Sequence, residues 1–261
     1  IYSSENLYNK EINLDKSIIL SKPKKNLSWL TSSFNHQNSI GHLHLSGLEN
    51  IFLKKKIGKN KFISYQEVTN VLAYNKNLVF SDDKGNIFNI NKLGTVIWKK
   101  NIYNKAYKKL FKSLRISINK NKLYVSDNLG FVYSINLSDG NLEWFKNYDT
   151  PAASHIKVSN DFIFLIDQDN KILCINSKNG KLVWDLLSIA SFIKSNTLLS
   201  LAISEDGFLF ANTSSADLYK IDPKTGQVIW SSNTADSLYS NATDFYKSSQ
   251  ILILKDEIIY S

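Results

Sequence analysis

Residues able to do chemistry are sparse in this chain and poorly grouped. Cys174 is the only cysteine, so no internal disulfide and no thiolate metal cage can form. His42 and His44 are two apart and would share one face of a strand. A metal would need at least one further ligand, and no neighbouring Cys, His or Glu offers it, so a polar, exposed strand face is expected. His36 and His155 stand alone in the sequence. Asp82-Asp83 falls in a turn, where a carboxylate caps backbone amides more readily than it moves protons. "DQDNK", from Asp167 to Lys171, resembles the opening of a calcium loop. It lacks the glycine at the sixth position and the glutamate at the twelfth, and it reads instead as a hairpin turn. There is no glycine loop for phosphate and no nucleophile elbow. No catalytic residue, metal or cofactor is expected, and the chain reads as a non-enzyme.

The elements that carry these side chains form a repeat. Of five tryptophans, four follow a glycine by four residues: Gly94 and Trp98, Gly140 and Trp144, Gly180 and Trp184, Gly226 and Trp230. The tryptophans are 46, 40 and 46 residues apart. Between them lie short runs of β-branched and aromatic residues, bounded by Asn, Asp, Ser and Gly, with one more apolar run such as "SLRISI" or "LLSLAI" ahead of each. That makes four strands per unit. Asp139-Gly140 and Asn179-Gly180 supply the positive φ of tight hairpins, as do Gly85 and Gly130 one hairpin earlier. Asn170 substitutes in the third unit; the fourth has Ala216-Asp217, where a longer loop is expected. Small antiparallel sheets repeated every 40–50 residues bury both faces only by stacking around an axis. The fold expected is therefore all-β, a β-propeller of four-stranded antiparallel blades. An indole at the end of each outer strand would lie in the seam with the next blade.

One propeller domain is expected over 1–261, with units near 40–60, 70–100, 113–147, 155–187 and 199–232, and a partial one at 239–261. Leu53 stands where the first unit's Trp would be, while Trp29 is out of register. Position 1 is not methionine, and the last strand stops mid-unit. These features favour about five to six blades cut from a larger, eight-bladed ring. The first twenty residues, with Glu5 and Glu11 among the apolar ones, do not read as a signal peptide.

Net charge is +9 and uneven. Residues 1–120 hold 21 Lys/Arg against 7 Asp/Glu, a balance of +14; residues 121–261 hold 11 against 16, a balance of −5. Two readings stand: a solvated lysine-rich surface, or a basic face that meets acidic protein or anionic lipid. With Arg115 the only arginine, sequence-specific nucleic-acid binding is not expected.

"YKIDPKTGQVIW", from Tyr219 to Trp230, resembles the tryptophan-docking motif of the quinoprotein (PQQ-like) propeller repeat. Asp222, Gly226 and Trp230 match it, with Lys220 in place of the motif's alanine. Asn136 and Asn176 replace the aspartate in two other units, and Asn91 to Gly94 is one residue short. Within this superfamily "FIFLIDQDNKILCINSKNGKLVWDLLS" is similar to the BamB-like branch. That resemblance implies a periplasmic, lipid-anchored scaffold of the outer-membrane β-barrel assembly machinery, a monomer within a complex. Its implied partner is the barrel-inserting subunit, held by inter-blade loops. The matching loop here is "NKAYKKLFKSLR", Asn104 to Arg115, with Leu114 and Arg115 as the partner-binding residues. The alternatives are another ligand- or protein-binding propeller of this repeat and, for a quinoprotein dehydrogenase, a pair of adjacent cysteines that this chain lacks.

Overall fold

The computed structural model describes residues 21–46, 51–58, 70–188, 198–233, 249–254 and 257–260. It begins with a short parallel pair, β1 (Lys24–Lys25) and β2 (Leu43–His44). Four four-stranded antiparallel meanders follow. The first holds β3 (Leu72–Tyr74), β4 (Asn77–Ser81), β5 (Asn86–Asn91) and β6 (Val96–Asn101). The second holds β7 (Leu114–Asn119), β8 (Lys122–Asp127), β9 (Phe131–Asn136) and β10 (Leu142–Asn147). The third holds β11 (Lys157–Ser159), β12 (Phe162–Ile166), β13 (Lys171–Asn176) and β14 (Leu182–Leu187). The fourth holds β15 (Leu201–Ile203), β16 (Leu209–Asn212), β17 (Asp217–Ile221) and β18 (Val228–Asn233). A hairpin, β19 (Leu252–Leu254) and β20 (Glu257–Ile259), closes the series. This is a β-propeller, with first strands neighbouring one another in chain order.

Each inner hairpin turns on the same five-residue device. Asp82, Asp127 and Asp167 each accept two backbone N–H groups through Oδ1, from the residues two and four positions on. Thr213 does so through Oγ1. The fourth turn is thus no longer than the others: Ala216 takes φ +63°, where its counterparts are Gly85, Gly130 and Asn170. The longer loop expected there does not form, because the hydroxyl of Thr213 anchors the turn as a carboxylate would.

The third and second strands are buried on both faces, and the fourth is largely exposed, as in β13 against β14. Apolar clusters occupy the seams. Val79, Ile87 and Trp98 pack on Ile116, Leu123 and Leu137; Tyr124 and Val132 pack on Ile163 and Leu173; Phe164 and Ile172 pack on Leu201 and Leu209.

Within this packing the indoles have a fixed partner. A Cβ built on Gly140 would come 2.8 Å from the Trp98 ring; on Gly180, 2.6 Å from Trp144; on Gly226, 2.7 Å from Trp184. Each tryptophan therefore lies over the turn glycine of the following sheet. Each Nε1–H donates to the carbonyl three residues before that glycine: Trp98 to Leu137 at 2.9 Å, Trp144 to Ser177 at 3.1 Å, Trp184 to Pro223 at 2.9 Å. Over Gly94 the same place is filled by Leu53 and Lys55, with Lys55 Nζ donating to the Gly94 carbonyl at 2.6 Å. Trp230 is 37% exposed and, among the described residues, meets no such turn.

Each of the four indoles of the repeat follows a β-bulge. In the pairing of the third and fourth strands, Ile97, Glu143, Val183 and Ile229 are skipped immediately before the tryptophan. An extra residue at that point rotates the strand and turns the ring out of its own sheet toward the next.

Residues 29–38 run along the axis and touch five first strands. Trp29 and Ala73 exchange backbone hydrogen bonds, and the carbonyls of Leu30, His36 and Gln37 accept from Ile118, Ile203 and Ile253. Lys157 Nζ donates to the Asn35 carbonyl at 2.7 Å and to Asn38 Oδ1. Asn38 Nδ2 donates to the carbonyls of Leu201 and Ile251. Trp29 is out of register with the repeat because it belongs to this segment. Lys157 is 2% exposed, and burial holds its amine down to about 7; burial, with Arg115 and Lys157 nearby, holds His155 down to about 4.

Two predictions follow from this packing. Gly180→Ala sets a methyl against the Trp144 ring at φ +67°, and should destabilise by about 2–4 kcal/mol in denaturant unfolding. Gly207→Ala, at φ +91° with open space around it, should cost only the backbone strain, about 1 kcal/mol. The unfolded chain keeps the Lys157 proton up to its ordinary 10.5, whereas the folded chain loses it near 7. Folding stability should therefore rise with pH between these values, and His155 should add a rise between about 4 and 6.5. Unfolding titrations at several pH values should show the upper limb flattened in Lys157→Met.

Candidate functional site

Between β6 and β7 the chain leaves the rim and returns to the axis through residues 102–113. The polar sequence would favour a loose excursion, yet both ends are tied down. Asn101 Oδ1 accepts from Tyr103 N–H at 3.1 Å, and the Tyr103 hydroxyl donates to Asp127 Oδ2 at 2.6 Å. Tyr103 is buried, and its own hydroxyl pKa is pushed well up by burial and by Asp127. Asn104 caps a 3-10 turn over Lys105–Tyr107 by accepting from Ala106 N–H. The Tyr107 ring meets Phe131 edge-on at 5.6 Å. At the far end the Lys112 side chain is buried, its amine 4.9 Å from the centre of the Tyr103 ring, with Nζ donating to the Leu110 carbonyl. Lys112 N–H donates to Asp83 O, and Ser113 N–H to Asn128 Oδ1.

The loop presents to solvent a tip of Asn104, Lys105, Ala106, Lys108, Lys109 and Leu110, with Leu110 47% exposed. It is a basic platform with one apolar knob, held on a loop that the seam fixes in place. Such a surface can bind an acidic protein face by charge and anchor it by the leucine.

Leu114 and Arg115 are not part of that surface. The expected loop ended at Arg115, but β7 begins at Leu114, and the two are 6% and 8% exposed. Leu114 belongs to the first seam cluster, and Arg115 lies beside the axis near His155. The strand starts early because Leu114 pairs with Asp127 at the base of the second inner hairpin. In the sequence Leu110 is an apolar residue between Lys109 and Phe111, outside any alternating run.

Gly94, Gly140, Gly180 and Gly226 all sit at positive φ in the turns between third and fourth strands. Asp222 Oδ1 accepts from Lys224 and Thr225 N–H, and Asn136 and Asn176 each cap their own turns. Trp230 lines a cavity of about 430 Å³ with Phe210, Lys220, Ile253 and Ile258. Cys174 is fully buried behind Trp184, and burial pushes its thiol up to about 12, which leaves it unreactive. His42 and His44 are exposed, and His42 Nδ1 contacts the Ser21 carbonyl. No cluster of three metal-ligating side chains occurs among the described residues. His36, isolated in the sequence, is brought near Lys157 by the axial segment, while His155 lies two residues from Lys157 in the chain and meets Arg115 of β7.

Solved structures share this architecture. BamB from Moraxella catarrhalis is 13% identical with a TM-score of 0.53, over 70% of this chain and 53% of that one. A europium-containing methanol dehydrogenase is 10% identical with a TM-score of 0.60, over 78% of this chain and 48% of that one. The quinohemoprotein alcohol dehydrogenase ADHIIG from Pseudomonas putida HK5 is 12% identical with a TM-score of 0.51, over 64% and 34%. The chain thus spans about half the length of the first of these, and at such identities the likeness is one of fold alone. No curated protein matches the sequence. The family model described as outer membrane protein assembly factor BamB matches residues 68–251, and the chain belongs to that family.

Proposed function

We propose that the chain is a non-catalytic scaffold of the outer-membrane β-barrel assembly machinery, located in the periplasm and anchored to the outer membrane in the intact protein. It docks its partner, the barrel-inserting subunit, through the loop of residues 102–113. Family membership supports the general role. The observation that carries the docking site is the tethered loop, with Tyr103 and Lys112 buried beneath an exposed tip of lysines and Leu110. A loop already ordered before binding forfeits little conformational entropy on docking. The lysines match an acidic face, which agrees with the concentration of positive charge in the first half of the chain. A dehydrogenase with a quinone over adjacent cysteines is disfavoured because the sequence has one cysteine.

The test is affinity capture of the membrane-assembly subunits from the source cell envelope by the full chain. The barrel-inserting subunit should be retained, and retention should weaken as salt is raised. The double variant Lys109→Glu/Leu110→Glu should reduce affinity roughly tenfold or more while leaving the unfolding midpoint unchanged, since both side chains are in solvent. Failure of the unaltered chain to retain any assembly subunit overturns the scaffold role. Retention undiminished in the double variant moves the docking surface elsewhere.

A further inference from the structure

Beside the axial segment lies a cavity of about 260 Å³, lined by Ser32, Ser33, Asn38, His155, Lys157 and Ser200 among others. Among the described residues, none that lines it is acidic. Lys157 reaches it from β11 and His155 from the lead-in to β11; Arg115 on β7 acts on His155, and His36 on the axial segment feels Lys157. A protonated Lys157 amine taken out of water is costly unless an opposite charge compensates it.

The cavity also holds hydrogen-bond capacity that the described residues leave unused. Ser32 Oγ is buried without a partner among the described residues. Ser200 Oγ accepts from Ile251 N–H at 3.0 Å, which leaves its hydroxyl proton to point into the space. Lys157 Nζ spends two N–H groups on Asn35 and Asn38, the two that a neutral amine retains. A third N–H exists only when the amine is protonated, and it is then available to the cavity.

We infer that this axial cavity is a binding site for a small oxyanion, a phosphate or a carboxylate, held by Lys157 with Ser32, Ser200 and His155 as neutral donors. Because the third lysine N–H comes with a proton, binding is coupled to proton uptake. Burial that depresses the free amine to about 7 is offset when an anion enters, so affinity rises as the pH falls through that value. The site ties ligand binding to ring geometry, since Lys157 also holds the axial segment.

The experiment is isothermal titration of the full chain with inorganic phosphate and, separately, with succinate. Sodium chloride at matched ionic strength serves as the reference, slightly below and well above neutral pH. A saturable one-to-one signal is expected with at least one of the two, tighter at the lower pH. Its heat should change with the ionisation enthalpy of the buffer in the sense of proton uptake. The probe that saturates identifies the source chemistry. Ser32→Ala and His155→Phe should each weaken binding roughly tenfold, the effect of losing one hydrogen bond to a charged group. Lys157→Met should abolish both binding and proton uptake. Should that variant fail to fold, the serine and histidine variants decide. The site is overturned if neither anion gives a signal beyond chloride, or if binding is the same in the unaltered chain, Ser32→Ala and His155→Phe.

Discussion

A sheet that is apolar on both faces has to be covered twice, and everything else in this molecule answers to that requirement. The runs of β12 and β13 alternate nothing: Phe164, Ile166, Ile172 and Cys174 face one neighbour, while Ile163, Leu165, Leu173 and Ile175 face the other. A single sheet of this kind would expose a full apolar face to water, at about 25 cal/mol per Å². Only a sheet on each side removes both. The seam then needs a gauge that sets spacing and angle between neighbours. The indole over a bare turn supplies it. Glycine lets the ring come into van der Waals contact with the backbone, and the indole N–H satisfies a carbonyl that the turn would otherwise leave to solvent.

This gauge explains which parts of the fold were legible in the sequence. The four-residue offset from glycine to tryptophan is a covalent constant, because turn and indole sit in the same strand, so it survives in all four units. The bulge that aims the ring leaves no such trace. Ile97, Glu143, Val183 and Ile229 occupy the skipped position, two β-branched aliphatics of one kind, a valine and a carboxylate, with nothing in common but their place. Ala216 misled for a related reason. Its positive φ is held by Thr213 three residues earlier, and a hydroxyl standing in for a carboxylate is hard to read from one chain. Leu114 and Arg115 were placed one element too far out because the stretch from Ser113 onward reads both as the end of the lysine-rich loop and as the first strand of the second unit.

The axis was not legible at all, and the cause is physical. First strands of a propeller have one edge facing the centre, with backbone groups that no neighbouring sheet satisfies. Here the axial segment satisfies them through its own backbone, accepting from Ile118, Ile203 and Ile253 and pairing with Ala73. Backbone groups are the same in every residue, so such a segment needs no periodic pattern and shows none. Its side chains matter at a few points only. Asn38 is the clearest, bridging Leu201 and Ile251 while accepting from Lys157, contacts that span up to 213 positions in sequence.

The loop of residues 102–113 and the seam are one structure rather than two. Asp127 caps the turn between β8 and β9 through Oδ1 and receives the hydroxyls of Tyr103 and Tyr133 through Oδ2. Tyr103 in turn lies over Gly85, so closely that a Cβ there would fall 2.3 Å from its ring. The loop is therefore held by the turn of the sheet before it and the turn of the sheet after it. Any change in the angle between those sheets would move Tyr103, and with it Lys112 and the exposed tip at Lys109 and Leu110. A partner that grips the tip consequently binds the first two sheets as a unit, and gains nothing from prying them apart. The tip is thus a surface whose position is set by buried contacts and does not drift when it is loaded.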